Sequence, residues 1–146
     1  MLKPVYETDE NGNVKYNIVN GEKVPILTGE YVNESKKVNI LGTEYEILIQ
    51  SEEENPKLKD CNGLCEQYSK KIILSDYKGV ENDPMVVENF QAFKDRVLRH
   101  EIIHAFFGES GLRSNSAYAE NEELVDWLAI QLPKIFKVFK ELNILE

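Results

Sequence analysis

Histidine is scarce in this chain, with only two among 146 residues, and cysteine and tryptophan are no more plentiful at two and one. Cys61 and Cys65 are too few for a disulfide framework. Their C-x-x-x-C spacing fits neither a zinc ribbon nor a thioredoxin-type motif, so reduced thiols are expected. No apolar run approaches the roughly 18 residues of a membrane span. The opening Met1-Leu2-Lys3-Pro4 leads into polar sequence, so no secretory signal and no membrane partner are expected, and the cytoplasm is the default compartment. Basic charge is also short. Seventeen Lys and Arg face 26 Asp and Glu, for a net charge of −9, and with no basic patch a nucleic-acid partner is not expected. Apolar residues, by contrast, make up 42% of the chain, enough to bury one core at this length. A single domain is expected over 1–146, with a β-rich N-terminal arm over 1–35 and the chemistry carried by a core over 36–146.

The two histidines are not scattered. They fall in His100-Glu101-Ile102-Ile103-His104, an H-E-x-x-H pattern that two histidines and a glutamate would form by chance on the order of one time in a thousand. On an α-helix residues four apart lie one above the other, so both imidazoles reach one metal ion. Glu101 sits about 100° round the helix from His100, where it can take a proton from a metal-bound water without being a ligand. The competing reading is a pair of hydrogen-bonded core histidines.

The rest of the chain reads as strands first and helices afterwards, which is α+β. Extended runs at 5–8, 14–19 and 24–27 are separated by Asn11-Gly12 and Asn20-Gly21, dipeptides that favour type I′ hairpin turns. Residues 37–50 give two alternating runs broken at Gly42, with Val38, Ile40, Tyr45, Ile47 and Ile49 on core positions. A surface connection over 51–63 has room for one helical turn. A third run over 66–74 is then expected to form a strand, either internal or at a sheet edge beside the site, where free N–H and C=O groups pair with an extended peptide. Asn82-Asp83-Pro84 looks like a helix start. Val86, Phe90, Phe93 and Val97 form an apolar stripe that continues onto His100 and His104, and Gly108 and Gly111 supply a stop. After a polar loop over 109–116, a second helix is expected from about Ala117 through Ile130. Pro133 interrupts it, and Ile135 to Leu142 form a last amphipathic helix.

A catalytic zinc takes three protein ligands and keeps one open place. Asn121-Glu122-Glu123-Leu124-Val125-Asp126 offers the third ligand, with Glu123 and Glu120 as competitors for Glu122. Asp126, one turn beyond Glu122 on the same face, is in register to hold the back of an imidazole. Together these residues resemble the gluzincins, the thermolysin-like zinc peptidases, in which H-E-x-x-H is followed by N-E-x-x-[SA]-D on a second helix. The gap from His104 to Glu122, 122 − 104 = 18 positions, is similar to that family's. The element order resembles small zincin domains of phages and prophages. The resemblance implies a minimal zincin-like fold, in which a small mixed or antiparallel sheet precedes an active-site helix and a second ligand-bearing helix. It makes His100, His104 and Glu122 ligands of one Zn2+ per chain, Glu101 the catalytic base and Asp126 the outer carboxylate. The implied activity is hydrolysis of peptide or protein substrates. Larger family members stabilise the oxyanion with a further histidine or tyrosine. Here both histidines are committed, which leaves Tyr118, Arg113, Tyr77 or Tyr68 for that role.

Two rivals stand beside this reading. A deformylase-like amide hydrolase would recruit Cys65, 100 − 65 = 35 positions before His100, from an Asn62-Gly63-Leu64-Cys65 stretch. A non-catalytic regulatory module of a mobile element would use the metal only for its fold.

Overall fold

The computed structural model describes residues 2–19, 22–33, 35–80 and 87–145, and for 2–5 and 27–33 the backbone alone. The fold is α+β and divides into two compact units, Met1–Ser35 and Lys36–Glu146.

In the first unit β1 (Leu2–Tyr6) pairs antiparallel with β4 (Leu27–Asn33), and β2 (Tyr16–Val19) with β3 (Glu22–Pro25). The Asn20-Gly21 hairpin signal lies outside the described residues. Asn11-Gly12 does not form the expected type I′ turn, because only Gly12 has positive φ, at 82°. A wider loop forms instead, since the Asp9 carboxylate accepts the Asn11 and Asn13 backbone N–H groups, both at 2.9 Å. The short polar side chain competes for the backbone and resets the turn.

The second unit is built on a mixed sheet of order β5-β6-β8-β7 among the described residues. β5 (Lys36–Ile40) and β6 (Thr43–Gln50) form a hairpin in which Ile40 opposes Thr43. Its two turn residues, Leu41 and Gly42, both have positive φ, at 50° and 92°. The mirror-image turn that the Asn-Gly dipeptide advertised in the first unit is found here. After a 3-10 turn at Pro56–Lys59, β7 (Gly63–Glu66) pairs antiparallel with β8 (Lys71–Ser75), and β8 runs parallel to β6. The run at 66–74 is therefore not one strand. Polar Gln67 to Ser69 and Lys70, at φ 57°, turn the chain inside it. β8 is internal, and the sheet edge belongs to β7.

Helix α1 (Phe90–Glu109) lies on the sheet face that carries Ile40, Tyr45 and Ile72, all fully buried, with its own Leu98, Ile102 and Ala105 inserted among them. Each large apolar side chain so buried stabilises the fold by about 1.5–3 kcal/mol. The helix starts at Phe90 because the Asn89 side chain accepts the Ala92 N–H at 3.1 Å. Val87 to Asn89 are not helical, and Asn82-Asp83-Pro84 and Val86 lie outside the described residues. Phe90 and Phe93 stack and meet Tyr77 edge-on, with centroids 5.1 and 5.9 Å from its ring.

Gly108 does not stop α1. It lies within the last turn, where a Cβ would fall 2.6 Å from the Gln67 side chain, so its role is close approach to the β7–β8 turn. Gly111, left-handed at φ 77°, follows the helix end. The stretch 109–116 contains a one-turn helix, α2 (Leu112–Asn115). A 3-10 turn at Ala117–Glu120 leads to α3 (Glu122–Glu141), whose start is fixed by the Asn121 side chain on the Leu124 N–H at 2.8 Å.

Pro133 does not divide α3, which continues through it. A proline removes the N–H that would bond the carbonyl four residues back. That carbonyl, Ala129 O, accepts a 2.7 Å bond from Arg99 Nε of α1 instead. With the orphaned acceptor satisfied from the neighbouring helix, the break is avoided.

The end of α1 is tied to the sheet through Glu109. Its carboxylate accepts from Thr43 Oγ1 at 2.7 Å, Tyr45 OH at 2.8 Å and Lys70 Nζ at 2.5 Å. The Lys70 bond, followed by those of Thr43 and Tyr45, holds the Glu109 carboxyl at about 2, well below the ordinary range. A depressed carboxyl stabilises the fold above its unfolded-state pKa and loses that contribution as pH falls towards the folded value. Glu109→Gln should therefore be less stable than wild type at pH 7. The gap in urea midpoints should narrow between about pH 4.5 and about pH 2. A gap independent of pH would show that the network acts without the charge.

Candidate metal centre

α1 and α3 pack along Ile103, Val125 and Ala129, flanked by Phe107, Leu128 and Leu132. Above this seam the first turn of α3 faces the middle of α1. Three ligand atoms converge there. Glu122 Oε2 is 3.0 Å from His100 Nε2 and 3.4 Å from His104 Nε2, and the two Nε2 atoms are 3.0 Å apart. These three side chains form a group that could hold a metal ion. Glu123 and Glu120, both exposed, stand outside it, and so does Cys65.

Asp126 Oδ1 lies 3.0 Å from His100 Nδ1. With Nδ1 turned to that carboxylate, the His100 Nε2 faces Glu122 and His104, and the centre of the triangle could hold a cation. A proton on His100 links two of the three groups, whereas a metal ion serves all three. Burial lowers the pKa of His104, and nearby His100 adds to the fall while Glu122 opposes it. The neutral imidazole this favours is the form that ligates metals. His104 Nδ1 is buried and has no hydrogen-bond partner among the described residues.

Glu101 is the one buried charged residue described, at 6% exposure. Its side chain lies against Gly63 of β7 and lines the same cleft as the three converging residues. Burial pushes its carboxyl up to about 7, with His100 opposing the rise and Glu122 adding to it. A carboxyl near neutrality is suited to taking up and returning a proton.

The site lies in a cleft of about 470 Å³ between α1 and β7, open to solvent. The direction of β7 follows from two contacts. Gly63 is against Val97 and Glu101, and Gln67, just beyond the strand, is against Gly108, so β7 runs alongside α1. Because Ser75 N–H bonds Asn62 O at 3.0 Å, antiparallel alternation turns the backbone N–H and C=O of Gly63 and Cys65 away from β8, where the Gly63 N–H meets the Cys61 sulfur.

Gly63 is the residue that sequence reasoning passed over. A Cβ there would lie 2.9 Å from Glu101 Cγ, 3.0 Å from its Oε1 and 3.1 Å from Val97 Cγ1. A glycine inside a strand marks such a close approach, so the signal was present. Gly63→Ala should cost about 1–3 kcal/mol and displace Glu101, because both neighbours are buried and cannot yield. Gly108→Ala, which meets only the flexible end of Gln67, should cost much less. Urea denaturation of the two variants checks the contrast, and equal costs would contradict it.

Of the four residues considered for oxyanion stabilisation, Arg113 lines the cleft. Tyr118 is 73% exposed on the 3-10 turn before α3 and Tyr68 is fully exposed in the β7–β8 turn, both outside the cleft lining. Tyr77 is buried and donates to the Asn62 carbonyl at 3.4 Å, and burial, with Glu101 and Cys61 adding to it, raises its hydroxyl to about 12. Cys65 packs against the sheet core, and burial holds its thiol up at about 11, protonated at neutral pH.

His100 and His104 continue the line of Phe90, Phe93 and Val97 along α1, and with Val97 they line the cleft. That helix is enclosed on two sides, by the sheet through Leu98, Ile102 and Ala105 and by α3 through Ile103 and Phe107, and the imidazoles occupy the gap between them at the cleft wall.

No protein-family model, curated protein or solved structure matches the chain. No helix among the described residues is long and apolar enough to cross a membrane.

Proposed function

We propose that this protein is a zinc-dependent metallopeptidase, with His100, His104 and Glu122 as ligands and Glu101 as the proton carrier. The observation that carries the reading is the triangle of ligand atoms with a buried carboxyl beside it in an open cleft. Tetrahedral ligands about 2.0–2.1 Å from zinc lie roughly 3.3 Å apart, close to the 3.0, 3.0 and 3.4 Å edges found. Two imidazoles and a carboxylate, with no fourth protein ligand among the described residues, are the donor set of catalytic rather than structural zinc.

Bound there, zinc supplies Lewis acidity, polarising a scissile carbonyl and making water nucleophilic near neutral pH. Glu101 accepts the proton of the attacking water and returns it to the leaving nitrogen. Asp126 fixes the tautomer and orientation of the His100 ring. The outward Gly63 C=O and the N–H and C=O of Cys65 hold an extended peptide as an added strand next to Glu101. The Arg113 guanidinium faces the same cleft and is the side chain available to stabilise developing negative charge.

The test is digestion of a diverse peptide mixture by zinc-loaded protein, read by mass spectrometry beside a chelator-treated control. Chelator-sensitive cleavage is expected. Absence of any cleavage by protein shown to carry zinc would favour a non-catalytic module.

A further inference from the structure

We infer that Arg99 is a positioning residue for the metal centre: by taking the carbonyl that Pro133 leaves free, it sets the register in which α3 presents Glu122 and Asp126 to the histidines. The inference rests on the zinc-site reading above.

The two helices meet through a seam of Ile103, Val125 and Ala129, flanked by Phe107, Leu128 and Leu132. Interdigitation of these side chains sets the helix placement only to within the repacking they allow, because burial itself is non-directional. The site does not tolerate sliding. One residue of slip moves α3 by about 1.5 Å and turns it by about 100°, which takes Glu122 Oε2 out of its 3.0 and 3.4 Å positions.

A directional tie is therefore needed, and a side-chain partner would be a loose one. A helix carbonyl is a fixed point of the backbone, but in an unbroken helix it is already bonded. Pro133 removes the donor for Ala129 O, and Arg99 Nε takes its place at 2.7 Å. Arg99 adjoins the ligand His100 in sequence, and Ala129 lies three residues beyond Asp126 and seven, about two turns, beyond Glu122. The tie is thus short on both helices. Arg99 forms no ion pair among the described residues, so this bond is its described polar contact.

Restoring the missing donor separates positioning from plain satisfaction of a buried acceptor. Four proteins are compared: wild type, Arg99→Ala, Pro133→Ala, and the double variant. Each is measured for its zinc-free melting temperature and for zinc affinity by competition with a chromophoric chelator. Arg99→Ala alone should melt lower and bind zinc about tenfold more weakly, the low end of the cost of losing an outer partner. In the double variant the backbone N–H at position 133 satisfies Ala129 O within α3. Melting temperature should recover, while zinc affinity stays about tenfold below that of Pro133→Ala. Recovery of affinity together with stability would reduce Arg99 to a cap and overturn the inference. Wild type that binds no zinc would overturn the metal reading and the inference with it.

Discussion

Glu101→Gln is expected to reduce peptide turnover by about 10²–10⁴-fold while leaving zinc binding and folding intact. The amide has the shape of the carboxyl, so the contact with Gly63 and Val97 survives. It cannot accept and return a proton, so the step assigned to Glu101 is lost. Stability should not fall. Burial raises the carboxyl to about 7, so at neutral pH the folded state bears the cost of an ionisable group in a poorly solvated position. A raised carboxyl contributes stability at low pH and loses it as pH rises through the folded value. The neutral amide removes that loss above pH 7. The check is the rate of cleavage of a fluorogenic peptide by zinc-loaded wild type and variant. Rates within a few-fold of each other would remove Glu101 from the chemistry.

Glu122→Ala is expected to abolish the stabilisation that zinc gives the wild type. The Glu122 side chain is 67% exposed and fills no cavity, so the zinc-free variant should melt close to wild type. Zinc held by these three side chains would bind the folded state, where they are assembled. At a thousand times its dissociation constant it stabilises that state by about 4.1 kcal/mol. For a unit of this size that is a rise on the order of ten degrees or more in melting temperature. With one of three ligands removed, most of the rise should disappear. Glu123→Ala should keep it, since Glu123 is exposed and stands outside the triangle. A zinc-induced rise undiminished in Glu122→Ala would move the third ligand elsewhere.

The ligand-bearing helices were legible because their signals are local. His100 and His104 are one turn apart on one helix, Asn121 is a capping residue directly before Glu122, and Asp126 follows one turn later. The alternation in 37–50 marked β5 and β6 for the same reason. Where the sequence misled, a tertiary contact decides. Pro133 read as a helix break because Arg99, 34 positions earlier by 133 − 99, is not adjacent in the chain. Gly108 read as a stop because the Gln67 side chain that requires it is on another element. The run at 66–74 read as one strand because its apolar end, Ile72 to Leu74, outweighed the polar turn before it. That reading left open whether the run is internal or an edge, and with 51–63 taken as a surface connection it hid Gly63, whose neighbour Glu101 is brought against it only by the docking of α1. The Asn11-Gly12 dipeptide misdirected for the opposite reason: the stronger local signal was the Asp9 side chain two residues away.

The central claim is that three side chains of this chain bind one zinc ion, and metal content tests it most directly. Wild type, Glu122→Ala and Glu123→Ala, each purified, exposed to zinc and desalted, are analysed by inductively coupled plasma mass spectrometry against protein concentration. The account predicts about one equivalent of zinc in wild type and in Glu123→Ala, and little in Glu122→Ala. Wild type without stoichiometric zinc, or zinc retained equally by all three proteins, would contradict it.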